Sequence, residues 1–461
     1  MRLIFSILFF IGLNVFGQEN PSKEFTYNEF LGYVKKYHPL VKIANLNISE
    51  AQANLMMSRG GFDPKIEVDF DQKKFKDSEY YSILNSSFKI PTWYGIELKA
   101  GFDNNEGIYL NPENTVPNQG LTSIGVSIPV GQGLFINQRM ADVRKAKIQI
   151  KLSQAEQQLE AINVLYEASI AYFNWKRNYN EVKLYENYLT NAKVRFKGIK
   201  ISIEQGDKPA IDSVEAGIIL RNRELSLEDS NLKLAKSKLE LSNFLWLENN
   251  IPLELQDDLI PEDKLEFTIT ETLRTNDLLQ NVSIENHPKI NAWQAKIDML
   301  NIERKLKANM LLPKLDLGYS YLSEPSYIDN YRFEDYKIGV NFSFPLFLRK
   351  ERGSLKLAKY KIQDAEYNLS LERLQLTNKI NAQQTEINSL NRQIDIIEKL
   401  VVDYQTMLSS EERLFSFGES SIFLINSREN NLVSSQLSKI NIENRFFVSN
   451  AELFKIMANP N

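Results

Sequence analysis

Apolar residues recur along two long stretches of this chain at alternating steps of four and three. Ala155, Leu159, Ile162, Tyr166, Ser169 and Phe173 trace one run. After a phase break, Val182, Tyr185, Leu189, Ala192, Phe196, Ile199 and Ile203 trace a second. Nearer the C-terminus, Ile387, Leu390, Ile394, Ile397, Val401, Tyr404 and Leu408 repeat the pattern. A mean spacing of 3.5 predicts helices packed knobs-into-holes along their length, with the polar remainder in water. From 137 to 205 there is no Pro and Gly198 is the only Gly. At 1.5 Å per residue, one helix there is about 100 Å long. Gly206 and Gly418 punctuate both patterns as helix-ending residues. New helical limbs begin near Ile211 and Ile422, which predicts two long hairpins, 137–247 and 351–457. Shorter helices are predicted over 27–59 and 287–310.

Between the helices the period changes to two. Ile66, Val68 and Phe70 alternate with Lys65, Glu67, Asp69 and Asp71; Ile124, Val126 and Ile128 alternate with Ser123, Gly125 and Ser127. Leu315, Leu317, Tyr319 and Tyr321 alternate with Lys314, Asp316, Gly318 and Ser320; Ile338, Val340, Phe342 and Phe344 alternate with Lys337, Gly339, Asn341 and Ser343. Strands are expected at 65–72, 121–130, 314–322 and 336–345. Segments of about ten residues, apolar on one side and polar on the other, are what a transmembrane β-barrel requires. A soluble sheet with one buried face reads the same way. Four strands cannot enclose a pore, so the barrel reading needs several chains to share one wall. Tyr81 to Ile90 and Gly95 to Phe102 also alternate, and the sequence leaves 76–120 open between added barrel strands and loop structure.

The order of elements occurs twice. The stretch from His38-Pro39 to Asp63-Pro64-Lys65 aligns without a gap with that from His287-Pro288 to Leu312-Pro313-Lys314, at an offset of 249. Ser127-Ile128-Pro129-Val130 matches Ser343-Phe344-Pro345-Leu346 at 216, and Gly206 matches Gly418 at 212. Residues 18–247 and 286–461 read as two repeats of one architecture. Residues 248–285, with 18–26, lack heptads and read as an equatorial girdle outside the helical rods.

Composition narrows the chemistry. Met1-Arg2 and the apolar run to Phe16 read as a secretory signal, 1–17, cut before Gln18. The chain has no Cys, which removes disulfides, thiolate metal sites and a lipid anchor on Cys. No later segment offers the roughly 20 apolar residues of a membrane-crossing helix, so a membrane-spanning mature chain must be a closed barrel. The formal charge is −4, and loss of Arg2 with the signal leaves 54 basic against 59 acidic residues, an unsuitable balance for nucleic acid. His38 and His287 stand one per repeat before Pro and read as helix-start residues, not metal ligands. Gly131-Gln132-Gly133 lacks the Lys-Ser/Thr of a phosphate loop. No catalytic constellation, cofactor site or metal site is expected.

The ordered set of His-Pro helix starts, Pro64 and Pro313 at helix–strand junctions, Pro129 and Pro345 at strand exits, and the tips Gly206-Asp207-Lys208-Pro209-Ala210-Ile211-Asp212 and Gly418-Glu419-Ser420-Ser421-Ile422 resembles the TolC-like outer-membrane efflux family. The resemblance spans nearly the whole mature chain. It implies an α+β membrane protein: a homotrimer with a 12-stranded barrel, four strands per chain, continuous with a long α-helical periplasmic tunnel. It further implies an outer-membrane location among lipid, and docking to a periplasmic adaptor and an inner-membrane pump of RND or ABC type. The function implied is a passive exit duct for efflux or type I secretion. The rival reading is a periplasmic coiled-coil scaffold or adaptor-like protein.

The family places an Asp six residues after each tip Gly. Asp212 keeps that spacing, whereas Leu424 stands at the second position. Ser427 stands where a further acidic residue is common, and Phe415 where some members carry a closing Tyr. Gly206, Asp212, Phe415, Gly418, Leu424 and Ser427 are therefore the gating candidates. Three Leu424 side chains closing a pore by dewetting and Leu424 as ordinary seam packing are both open readings.

Overall fold

A computed structural model describes residues 23–275, 283–327, 332 and 334–458. The expected signal 1–17 and the start of the girdle, 18–22, lie outside the described residues. The helices are α1 (Tyr27–Tyr37), α2 (Pro39–Arg59), α3 (Gln138–Glu204), α4 (Ile211–Ser242), α5 (Leu265–Thr272), α6 (Pro288–Asn309), α7 (Arg349–Ser416) and α8 (Ile422–Met457). The strands are β1 (Lys23–Phe25), β2 (Lys65–Phe75), β3 (Ser78–Pro91), β4 (Glu97–Glu106), β5 (Leu121–Pro129), β6 (Leu259–Pro261), β7 (Lys314–Ser323) and β8 (Tyr336–Ser343). The chain divides into two units, to both of which α3 and α7 contribute.

One unit comprises residues 23–38, Leu165–Arg274 and Glu386–Ala451. Its core is aromatic: Tyr27, Phe30, Tyr172, Phe173 and Trp175 are fully buried. Tyr27 and Phe173 rings lie 5.1 Å apart, and Phe173 reaches Phe447 at 5.6 Å. Truncating such a ring costs about 3–5 kcal/mol. A capping box starts α1, in which the Thr26 hydroxyl accepts from Glu29 N–H and the Glu29 carboxylate accepts from Thr26 N–H. The helix expected over 27–59 is in fact two. Pro39 lacks an N–H and pushes the preceding residue out of the helical region, and His38 sits at φ −63°, ψ 130°.

The other unit comprises Pro39–Val164, Thr275–Thr385 and the C-terminal segment from Glu452. Ile290 and Ile297 of α6 pack on Ala365, Leu369 and Leu376 of α7, and Ala292 and Ala295 pack on Leu152 and Ala155 of α3. His287 starts α6 with Pro288 at its first position; Nδ1 accepts from Lys289 N–H (3.1 Å) and Nε2 donates to the Ile456 carbonyl (2.8 Å). Those two bonds require the neutral ring.

The same unit holds one antiparallel sheet of six strands in the order β2-β3-β4-β5-β7-β8. This corrects the expectation of four strands per chain: β2, β5, β7 and β8 answer to the four expected, and two more lie between them. The undecided stretch 76–120 supplies β3 and β4, inserted between β2 and β5. Lys76 and Asp77 both have positive φ (49° and 57°), the two-residue primed turn that matches strand twist. Lys-Asp is not the Asn-Gly signature of that turn, so the sequence conceals it.

Candidate functional site

The sheet is sorted by face across all six strands. Ile66 pairs with Phe88, Phe88 with Ala100, Ala100 with Ile124, Ile124 with Tyr321, and Tyr321 with Tyr336. Partners in register share a face, so this row and its neighbours Leu98, Val126, Tyr319 and Ile338 form one continuous apolar surface. The opposite face follows the row Glu67, Ser87, Gly101, Ser123 and the row Lys89, Lys99, Gly125, Ser320, Lys337. Acidic and basic side chains alternate there, as the Glu67–Lys89 ion pair shows. A Cβ on Gly125 would come within 2.2 Å of Ser320 Oγ and 2.5 Å of the Tyr319 carbonyl. Crowding therefore falls on the polar face, where Gly and Ser are needed, and bulky side chains stand on the other.

Among the described residues, neither edge strand of this sheet, β2 or β8, has an outer partner. Every residue of β2 and β8 is exposed, including Ile66 (76 %), Phe70 (63 %), Ile338 (68 %) and Phe342 (64 %). Long apolar edges with free N–H and C=O groups demand a partner. No described helix is long and apolar enough to cross a membrane.

The gating candidates occupy the ends of the helical hairpins in the other unit. Gly206 (φ +81°) donates to Ile203 C=O (3.0 Å), and Asp207 N–H donates to Ser202 C=O (2.9 Å). Gly418 (φ +78°) donates to Phe415 C=O (3.1 Å), and Glu419 N–H donates to Leu414 C=O (3.0 Å). Each is a Schellman motif, which explains why Gly ends each helix. Ser421 Oγ accepts from Leu424 N–H to start α8. Phe415 packs beside Ile199, Ala216 and Ile422, so it joins the two tips, and Lys208 Nζ lies 4.0 Å from its ring centroid. Asp212 sits half-buried in the first turn of α4, Leu424 is exposed on α8, and Ser427 is half-buried one turn further on. The fold brings Phe415 and both glycines to one locus within a chain.

Polar residues not singled out from the sequence tie the hairpins together. Arg195 of α3 donates to Glu429 of α8 (2.7 Å) and reaches Glu412 of α7 (3.4 Å). Asn426 donates to Glu215 (3.2 Å), Arg223 to Asn430 (2.7 Å), and Tyr188 to Gln436. The signal was present: Ile422, Ile425, Glu429, Leu432 and Gln436 keep steps of three and four, so Glu429 and Gln436 occupy core positions of a heptad seam. A polar residue there fixes register at some expense of stability.

The girdle segments meet through the parallel pair β1–β6. Tyr172 Oη donates to the Phe25 carbonyl (2.6 Å) and accepts from Glu262 N–H (3.0 Å). Lys176 Nζ donates to the Glu262 and Asp263 carbonyls, and burial pulls its pKa below the usual lysine value. Among the described residues, no group of three His, Asp or Glu is arranged to hold a metal.

Residues 279–459 match the family described as Outer membrane efflux protein. The resemblance to the TolC-like outer-membrane efflux proteins holds. The fold is similar over almost the whole chain to the CmeC outer membrane channel of Campylobacter jejuni (TM-score 0.65, 15 % identity, 94 % of this chain and 85 % of that one). It is likewise similar to the outer membrane protein VceC of Vibrio cholerae (0.66, 14 %, 94 % and 96 %) and to the open MtrE outer membrane channel of Neisseria gonorrhoeae (0.66, 11 %, 94 % and 89 %). No curated protein matches the chain in sequence. The described chain thus shares its fold with solved outer-membrane channels, and its C-terminal part resembles the outer membrane efflux proteins in sequence.

Proposed function

We propose that three copies of this chain close one barrel, each offering β8 to the next copy's β2, and that α3, α4, α7 and α8 continue the wall as a hollow periplasmic conduit. The open-edged sheet with one continuous apolar face carries this reading, because lipid on that face and a neighbour at each edge would satisfy it. The helices present a matching demand. Ile211, Ile218, Leu225, Leu232 and Leu239 stand exposed on α4 at intervals of seven, and Leu400, Met407 and Leu414 do so on α7. Ile211, Ile218 and Leu225 lie 5, 12 and 19 residues past Gly206; Leu414, Met407 and Leu400 lie 4, 11 and 18 before Gly418. The two stripes thus fall within one residue of the same height from the tips and fit as an antiparallel seam between copies.

The conduit does no chemistry. It accepts substrate from an inner-membrane pump, of RND or ABC type, through a periplasmic adaptor that docks on the helices, as in efflux or type I secretion. The tips set the resting closure, and helix rearrangement about Gly206 and Gly418 opens it. Phe415, Asp212, Leu424 and Ser427 tune that equilibrium. Planar-bilayer recording of the mature protein tests the proposal: step conductances that rise when the tip is loosened by substitution at Phe415 are expected. A protein that never inserts or conducts, even with the tip altered, refutes it.

A further inference from the structure

Six strands, not four, lie in the sheet of each chain. We propose that the β3–β4 hairpin is part of the membrane wall, so that three copies close a barrel of eighteen strands with a bore wider than twelve would give. This rests on the shared-barrel reading above.

Three observations bear on it. First, the part of the hairpin nearer the helices, residues 84–91 and 97–103, obeys the same inside–outside rule as the rest. Phe88, Leu84, Leu98 and Phe102 continue the apolar face, while Asn85, Lys89, Lys99 and Asp103 continue the polar one. A hairpin lying in water over a barrel mouth has no cause to keep that sorting in register with both neighbours. Second, it is central. β3 pairs with β2 over almost all of β2, and β4 pairs with β5 from Glu97↔Ser127 to Asp103↔Leu121. Removing the hairpin from the wall would break both ladders. Third, its inner turn is fastened to the base of the helices. Asn137 Nδ2 donates to the Trp93 carbonyl (3.1 Å), Arg139 pairs with Glu97 (3.0 Å), and Phe62 stacks on Trp93 (5.3 Å). That turn spans five residues, 92–96; at the far end the β2–β3 turn has two, 76–77, and the β4–β5 connection runs 107–120.

With strands about 4.8 Å apart and tilted by about 40°, eighteen close at a backbone diameter of about 36 Å, against about 24 Å for twelve. Barrels of that larger size leave an open aqueous lumen. The constriction of the conduit then lies in the helical part, and the outer mouth admits any solute that passes the tip.

The insertion is modular. β2 ends and β5 begins at the same end of the sheet and run antiparallel, so a wall without the hairpin would place β2 directly against β5. The chain has no Cys, so engineered pairs report without background. In the membrane-extracted, SDS-resistant oligomer, A100C/I124C is expected to form an intrachain disulfide. Pairs of I124C with I66C, V68C or F70C are expected to form none. Efficient coupling of I124C to a β2 position, with none to A100C, overturns the proposal. A resolved image of the unmodified particle gives a second readout. Eighteen wall strands support the proposal. Twelve, with the hairpin outside the wall, overturn it while leaving the shared barrel standing, whereas the absence of any membrane oligomer removes both readings.

Discussion

Arg195→Met is the sharpest perturbation of the hairpin assembly. Glu429 is 1 % exposed, its Oε2 takes a 2.7 Å bond from Arg195 Nη1, and its Oε1 has no hydrogen-bond partner. Glu412 shares the guanidinium but is half in solvent, with an N···O distance of 3.4 Å, so it contributes little. Methionine keeps the hydrocarbon stem and removes the charge, which leaves a carboxylate buried among Tyr188, Ile425 and Leu432. Breaking a buried pair in this way costs about 3–5 kcal/mol. Amide hydrogen exchange reads it locally, because different parts of a protein open with separate free energies. Protection around 425–433 should fall about 10² to 10³-fold in the single variant, and tip leakage in bilayers should rise. The double variant R195M/E429M removes both charges and should recover most of the protection, since an apolar replacement of a whole pair is often neutral or stabilising. An unchanged exchange rate in R195M, or a double variant no better than the single, refutes the reasoning.

Three other outcomes are expected. Gly206→Ala and Gly418→Ala place a Cβ at φ near +80°, where open space removes any clash but the backbone strain of about 1–2 kcal/mol remains; thermal melting of the purified oligomer should fall for each, and Asn at either position should be milder. Burial, aided by the Lys289 charge and opposed by the bond to Ile456 C=O, lowers the His287 pKa below the usual value. The unfolded chain therefore binds that proton first, so the stabilisation present above pH about 6.5 is lost as pH falls through the folded pKa; a melting profile that declines on acidification in wild type and less in His287→Asn checks it. The double variant I218C/M407C should give disulfide-linked dimers and trimers on denaturing gels, whereas a purely intrachain product would contradict the proposed seam between copies.

The rods were legible because a 3.5-residue repeat over sixty residues has few alternatives, and Gly206 and Gly418 announce their own Schellman turns. Strands β2, β5, β7 and β8 were legible from strict alternation. The β3–β4 hairpin was not placed, because its turn uses Lys76-Asp77 at positive φ and because Tyr81 and Ile83 put large side chains on the otherwise polar face. The break at His38-Pro39 was available from the proline alone but was outweighed by the helical composition on both sides. At the tips, positions could be counted from the glycines, but which side chains meet depends on how four helices pack. Phe415 proved to be the joint between hairpins, while the polar ties of Arg195 and Glu215 lay hidden among many solvated charges of the same kind. Glu429 was visible only as a polar residue inside an apolar seam.

The central claim is that several copies must share one wall. The mass of the native particle extracted from membranes in detergent tests it most directly. Three chains per particle, held together until heated, is the predicted result. A single chain that stays in solution without detergent would contradict it.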